Sequence, residues 1–305
     1  MPQIILNPTE YDSKYIQTDR IYPLIDKKIE ELLDKIHKKQ FTYTLPLIDE
    51  SIPFVEDEYK YPLFDWFTDK FEYWLEYSRR NKILGLSKFN RTDIILGCTQ
   101  YIDNLYMKHG VQNIQILEGE YKYHTRLYSG LTPVKVGSLH PRKILIISAP
   151  FPNGSMHPQW DEILEECFEK NIKIHIDGAW ITAAKDINLN LHHPCIQSIG
   201  VSLSKGYGLS GWNRIGLRWT NDSDVDSITL MNEYHQIPTL PIKIGIYMLD
   251  NLMVDHLWDK HEINYYKICA DFNLTPTSTI HVGLKNGFVW GIAPLLRYLE
   301  YAKTN

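Results

Sequence analysis

Between residues 90 and 220 the chain alternates short apolar runs with helix-forming stretches, and this alternation restricts the fold more than any other feature. Ile172–Asp177 places apolar and polar residues in turn, the period of a strand. Lys143–Ala149 is apolar almost throughout, as a strand buried on both faces is. Arg91–Leu96, Gln112–Leu117 and Ile199–Val201 add further strands; the first of them leads through a tight turn at Gly97–Thr99 into a helix, and another helix begins at Trp160. Strands joined through helices must run parallel, with the helices covering the sheet. The expected class is therefore α/β, a mainly parallel sheet with helices on both faces. Arg214–Trp219 reads as a further, returning strand.

The flanks differ. Leu24–Ile36 repeats apolar residues at helical spacing, with Ile25, Ile29, Leu32, Leu33 and Ile36 on one face. Pro62–Trp74 is a second, aromatic-rich helix. Composition narrows the function classes. The 305 residues are 44% hydrophobic and 23% charged, an ordinary globular balance. No run approaches the roughly 20 apolar residues of a membrane helix, and the first seven residues do not form a signal peptide. A net charge of −5 argues against a nucleic-acid surface. The cysteines at 98, 167, 195 and 269 have no C-x-x-C spacing, and His192–His193 has no acidic or cysteine residue directly beside it, so no metal site is expected. A reducing, cytoplasmic setting fits these features.

The chemistry concentrates in one string, Ser202-Leu203-Ser204-Lys205-Gly206-Tyr207-Gly208-Leu209-Ser210-Gly211-Trp212-Asn213-Arg214-Ile215-Gly216, which follows the strand Ile199–Val201. A lysine at a strand end, with hydroxyls at −1 and −3 and an arginine nine residues on, combines an amine nucleophile with groups that hold phosphate oxygens. Gly206–Gly211 also fits the dinucleotide fingerprint. That motif needs a helix after it, and here a strand follows.

This string resembles the lysine segment of the class I/II aminotransferases, the fold-type I enzymes dependent on pyridoxal 5′-phosphate (PLP), although the arginine offset is one residue longer than usual. The resemblance implies that Lys205 is the Schiff-base lysine and that Ser202, Ser204 and Arg214 bind the phosphate. Gly97-Cys98-Thr99-Gln100, at a strand-to-helix turn, is similar to the family's phosphate-binding turn. Asp177, ending its strand, stands where the family's acid pairs with the pyridine nitrogen, and Trp180 stands where the family carries a tyrosine. Asn153, in Pro150–Ser155, is implied as the ring-oxygen donor. Tyr121 is implied as the ring stacker, with Tyr123 as the weaker choice.

By the same resemblance the chain divides into an N-terminal helical segment (1–89), a PLP-binding large domain (90–250) and a reduced small domain (251–305). A homodimer is implied, with Tyr59 or Tyr61 and Thr239 as donors from the neighbouring subunit. The arginine that grips the substrate carboxylate in the family has no counterpart: Gly291 stands at its place, with Arg297 nearby as a substitute. The leading function is amino-group transfer on an amine or amino acid. Decarboxylation, elimination or Cα condensation on the same cofactor is an alternative, and a non-catalytic PLP-binding protein is another.

Overall fold

The apolar runs of the sequence become the strands of one central sheet. A computed structural model describes residues 21–37, 62–209 and 211–302. Its first eight strands are β1 (Lys82–Leu84), β2 (Arg91–Ile95), β3 (Ile114–Gln115), β4 (Ile144–Ser148), β5 (Ile174–Asp177), β6 (Asn188–Asn190), β7 (Ile196–Ser202) and β8 (Gly216–Thr220). Six of them form the sheet, in the order β2-β8-β7-β5-β4-β3, while β1 and β6 pair separately. The run β3-β4-β5-β7 is parallel, and β8 is antiparallel to both its neighbours. The sheet is thus mainly parallel, with the returning strand read at Arg214–Trp219 inserted between β2 and β7. The strand expected at Gln112–Leu117 shortens to two residues, because Val111–Asn113 forms a 3-10 turn first.

Helices cover both faces, and neighbouring residues of β4 show why. Leu145 and Ile147 belong to one apolar cluster, with Ile163 and Cys167 of the helix Trp160–Glu169. Ile146, pointing the other way, belongs to a second, with Tyr101, Ile102 and Leu105 of the helix Cys98–His109. Side chains alternate across a strand, so a β4 that is apolar up to Ser148 feeds two cores. The N-terminal stripe packs as its spacing requires. Ile29 and Leu32 of the helix Lys27–His37 are buried, and Ile25, Leu33 and Ile36 lean on the same core. In the helix Pro62–Glu76, Phe64, Phe67, Phe71 and Trp74 are buried, whereas Tyr73 faces outward.

Polar anchors hold the parts that frame the site. Buried Arg218 of β8 donates to Asp93 of β2 and to Asp226, both at 2.6 Å. Asp226 also caps the helix Ser227–Glu233 by accepting from Thr229 N–H. Asp26 is fully buried, caps the helix Lys27–His37 through Ile29 N–H, and accepts from His256, Lys260 and His261 at 2.8, 2.9 and 3.1 Å. Burial opposes its ionisation. The hydrogen bonds from His256 and His261 outweigh that and hold the carboxyl well below the usual carboxylate range. Residues 21–25 are thereby fixed just ahead of a pinned helix.

The C-terminal strands β9 (Thr275–Pro276), β10 (Val282–Lys285) and β11 (Phe288–Gly291) make a small antiparallel sheet. A two-residue Asn286–Gly287 turn joins β10 to β11, with φ of 53° and 81°. Asn-Gly adopts that left-handed pair at little cost, which closes the hairpin tightly. The helix Ala293–Ala302 then covers the core. None of the helices among the described residues is long and apolar enough to cross a membrane.

Candidate active site

Parallel strands end at a common edge, and three of those ends supply the floor of a cavity of about 1370 Å³. Ser148, Asp177 and Ser202 are the last residues of β4, β5 and β7, and all three line it. Strand register sets Asp177 beside Ser148 on one side and Gly200 on the other. Asp177 is buried and accepts from Ala179 N–H at 3.0 Å. Burial pushes its carboxyl up to about 6, against the pull of that N–H and of the Lys205 charge.

Lys205 sits on the single helical turn Leu203–Gly206 that follows β7. Leu203 is buried and bonded to Ile215 O, and His281 Nε2 donates to the Lys205 carbonyl at 2.8 Å. With its backbone pinned, Lys205 lines the cavity, where its Nζ donates to Ile21 O at 2.7 Å. His281 is buried, and burial, reinforced by the Lys205 charge, pulls it down to about 3, so the imidazole is neutral.

The phosphate-type groups meet at one end. Arg214 Nη2 donates to Thr99 Oγ1 at 2.8 Å, joining the loop before β8 to the first turn of the helix Cys98–His109. That helix starts after Gly97 without a side-chain cap, so its dipole end and first N–H groups face the site. Ser202, Ser204, Cys98 and Thr99 line the same cavity. Cys98 is buried, which pushes its thiol well up, so it acts as a packed neutral group.

Tyr121, Trp180 and Asn153 line the cavity too. Tyr121 is 46% exposed and stacks on Tyr123, with centroids 5.8 Å apart. Asn153 closes an Asx turn by accepting from Ser155 N–H at 3.0 Å, which leaves its Nδ2 to donate. Every site residue expected from the sequence is therefore a lining residue, except Gly97, which backs Arg214. Of the positions held in reserve, Tyr123 lines the cavity beside Tyr121, whereas Arg297 and Thr239 do not. Arg297, the proposed substitute for the carboxylate clamp, ion-pairs with Glu30 of the N-terminal helix and does not line the cavity. Thr239 opens the exposed end of the helix Thr239–Asn251, and Tyr59 and Tyr61 lie outside the described residues.

The structure adds groups that sequence reading missed. Glu120, next to Tyr121, is buried in the cavity wall and accepts from Ser148 N–H, from Ser148 Oγ at 2.8 Å and from Tyr121 N–H at 2.7 Å. Burial pushes its carboxyl up to about 7 despite those bonds. An acidic residue flanking an expected ring stacker was the only available signal. Lys122, Arg126 and the hairpin residues Lys285–Trp290 complete the mouth. They come from separate loops that no motif ties to the rest.

Among solved structures the chain is similar to alanine aminotransferase from Pyrococcus furiosus, at 14% identity and a TM-score of 0.58, covering 90% of this chain and 77% of that one. It is also similar to the PLP-bound C–S lyase from Staphylococcus hominis, at 10% identity and a TM-score of 0.58, covering 87% and 74%. A third is L-threonine-O-3-phosphate decarboxylase from Porphyromonas gingivalis, at 13% identity and a TM-score of 0.51, covering 79% and 97%. The fold is that of the fold-type I PLP-dependent enzymes. No family model matches the chain, and no curated protein matches it in sequence. The three neighbours run different reactions on one fold-type I architecture, so the fold does not select among them.

The residues present fit PLP. Ser204 Oγ is buried with no hydrogen-bond partner among the described residues, a polar atom suited to an oxygen-rich group. A Cβ at Gly97 would stand 2.9 Å from the Arg214 guanidinium, and its φ of 91° suits only glycine, so glycine keeps the anion cradle open.

The two raised carboxyls give a testable pH dependence. A glutamic acid moved from 4.5 to about 7 binds its proton more tightly in the folded chain than in the unfolded one. Stability therefore falls as pH rises through that window, by about 3 kcal/mol for this group. Buried His124, His175 and His281, all lowered, act in the opposite sense below pH 6.5. The informative quantity is the difference between wild type and Glu120→Gln in cofactor-free protein. The wild type is expected to lose stability relative to the variant between pH 4.5 and 8. Parallel pH profiles in thermal unfolding would show that Glu120 does not titrate there.

Proposed function

We propose that this chain is a PLP-dependent enzyme that transfers amino groups to and from a small amine or amino acid. The observation that carries the reading is convergence: the candidate lysine, ring acid, stacker, ring-oxygen donor and phosphate-binding residues, scattered from residue 98 to residue 214, line one cavity. Lys205 Nζ would hold the cofactor aldehyde. Arg214, Thr99, Ser202, Ser204 and the N–H groups after Gly97 would hold its phosphate. Asp177 would pair with the pyridine nitrogen, Tyr121 would stack on the ring, and Asn153 Nδ2 would donate to the ring oxygen. Trp180 offers only an indole N–H, which donates and does not ionise.

Bound PLP supplies an electron sink for the charge that develops at the substrate Cα. The chain's own work is proton handling and orientation. Once released by the substrate amine, Lys205 Nζ takes the proton from Cα and returns it to the cofactor side, a general base and then acid on one flexible stem. For that, the Ile21 carbonyl must give up the Lys205 amine, so the segment at 21–23 shifts or its hydrogen bond breaks. Asp177, ionised against a cation, keeps the ring nitrogen charged.

A second reading, decarboxylation or elimination in the same cup, is favoured by the missing clamp: Gly291 carries no side chain and Arg297 is tied to Glu30. Absorption spectra separate the two. With an amine donor alone, a transferase keeps the amino group and loses the absorption band of bound PLP. A lyase or decarboxylase releases product and recovers the band. A PLP-binding protein without turnover does neither. We further propose a cytoplasmic homodimer, the simplest isologous assembly, for which light scattering should give twice 35.8 kDa.

A further inference from the structure

We infer that the substrate carries an anionic group, phosphate or carboxylate, remote from its reacting amine, and that Arg126, with Lys122 and Lys285, receives it at the cavity mouth. This rests on the PLP reading above. Among the described residues, five cations line the cavity, Lys122, Arg126, Lys205, Arg214 and Lys285, against two carboxylates, Glu120 and Asp177. The imbalance runs against the whole chain, whose net charge is −5. Lys205 and Arg214 have work at the cofactor. Both carboxylates are buried at the floor, and Glu120 is already bonded to Ser148.

Lys122, Arg126 and Lys285 remain. Among the described residues no carboxylate stands within ion-pair reach of any of them, while Arg79, Arg80, Arg91, Arg218 and Arg297 are all paired. Lys285 Nζ lies 4.3 Å from the centre of the Trp290 ring, which steadies the lysine and leaves its charge uncompensated. Arg126 sits on the turn Tyr123–Leu127, five residues after Tyr121, and both line the same cavity. Its planar fork matches carboxylate or phosphate oxygens bidentately. The cleft concentrates this positive field. A cavity of about 1370 Å³ exceeds the roughly 300–1,000 Å³ of ordinary small-molecule pockets, so it has room for cofactor and an extended substrate together.

The test uses PLP-loaded protein and three amines alike at the amino end: ethanolamine, β-alanine and O-phosphoethanolamine. Half-saturation is read from the change in the cofactor's absorption. The two anions are expected to bind at least about tenfold tighter than ethanolamine, a tenfold ratio being about 1.4 kcal/mol. The stronger of the two tells phosphate from carboxylate. Added salt should shrink the preference. Arg126→Gln should remove most of it, and Arg126→Glu should invert it. PLP affinity, measured separately on cofactor-free protein, should stay unchanged in both variants. Equal binding of the three amines by the PLP-loaded wild type, or a preference that survives Arg126→Glu, overturns the inference and leaves the PLP reading standing. A wild type that binds no PLP overturns both.

Discussion

Lys205→Ala is expected to lose turnover by at least about 10⁴-fold while keeping the fold. Positioned general acid–base groups contribute about 10²–10⁴-fold, and Lys205 serves both as the covalent anchor and as the proton carrier. Removing the side chain frees the Ile21 carbonyl and leaves Leu203, Ile215 and His281 holding the backbone turn, so the unfolding temperature should move little. PLP should still bind through its phosphate contacts, with its aldehyde left open to condense with small amines from solution. An active Lys205→Ala variant, assayed by stopped-time product analysis, would remove this residue from the chemistry.

Asp177→Asn should follow, with turnover reduced by about 10²–10³-fold, the range for deleting one preorganised electrostatic partner. Asparagine keeps the shape and the bond from Ala179 N–H but cannot hold a charged pyridine nitrogen. The pH profile separates this role from a structural one. In the wild type, cofactor binding should tighten as pH rises through about 6, where the buried carboxyl ionises. In Asp177→Asn that step should vanish, with thermal stability near neutral pH retained or improved, since no buried carboxylate remains to be ionised. Unchanged turnover would assign the ring-nitrogen role elsewhere.

The sheet was legible because β4 is almost wholly Ile and Leu, and β5 and β7 keep apolar residues at strand spacing. The cofactor cup was legible for a related reason. Lys205, Asp177 and the Gly97–Thr99 turn all sit at strand ends, where local sequence dictates local geometry. The mouth was not. Arg126 and Lys285 matter through the approach of a loop and a hairpin roughly 160 residues apart in the chain, and no periodicity encodes that approach. Glu120 was missed because an acid beside a tyrosine in a loop reads as solvated. Only its hydrogen bonds from Ser148, at the end of β4, show a buried, satisfied carboxyl. Arg297 failed in the opposite way: its nearness to Gly291 in sequence suggested a clamp, whereas one helical turn carries it to Glu30.

The most direct test is borohydride reduction of the PLP-loaded protein followed by peptide mapping. A single phosphopyridoxyl label on the peptide containing Lys205 is the predicted result. A label on Lys122, Lys285 or any other lysine in place of Lys205, or no label on protein shown to have taken up PLP, would contradict the account.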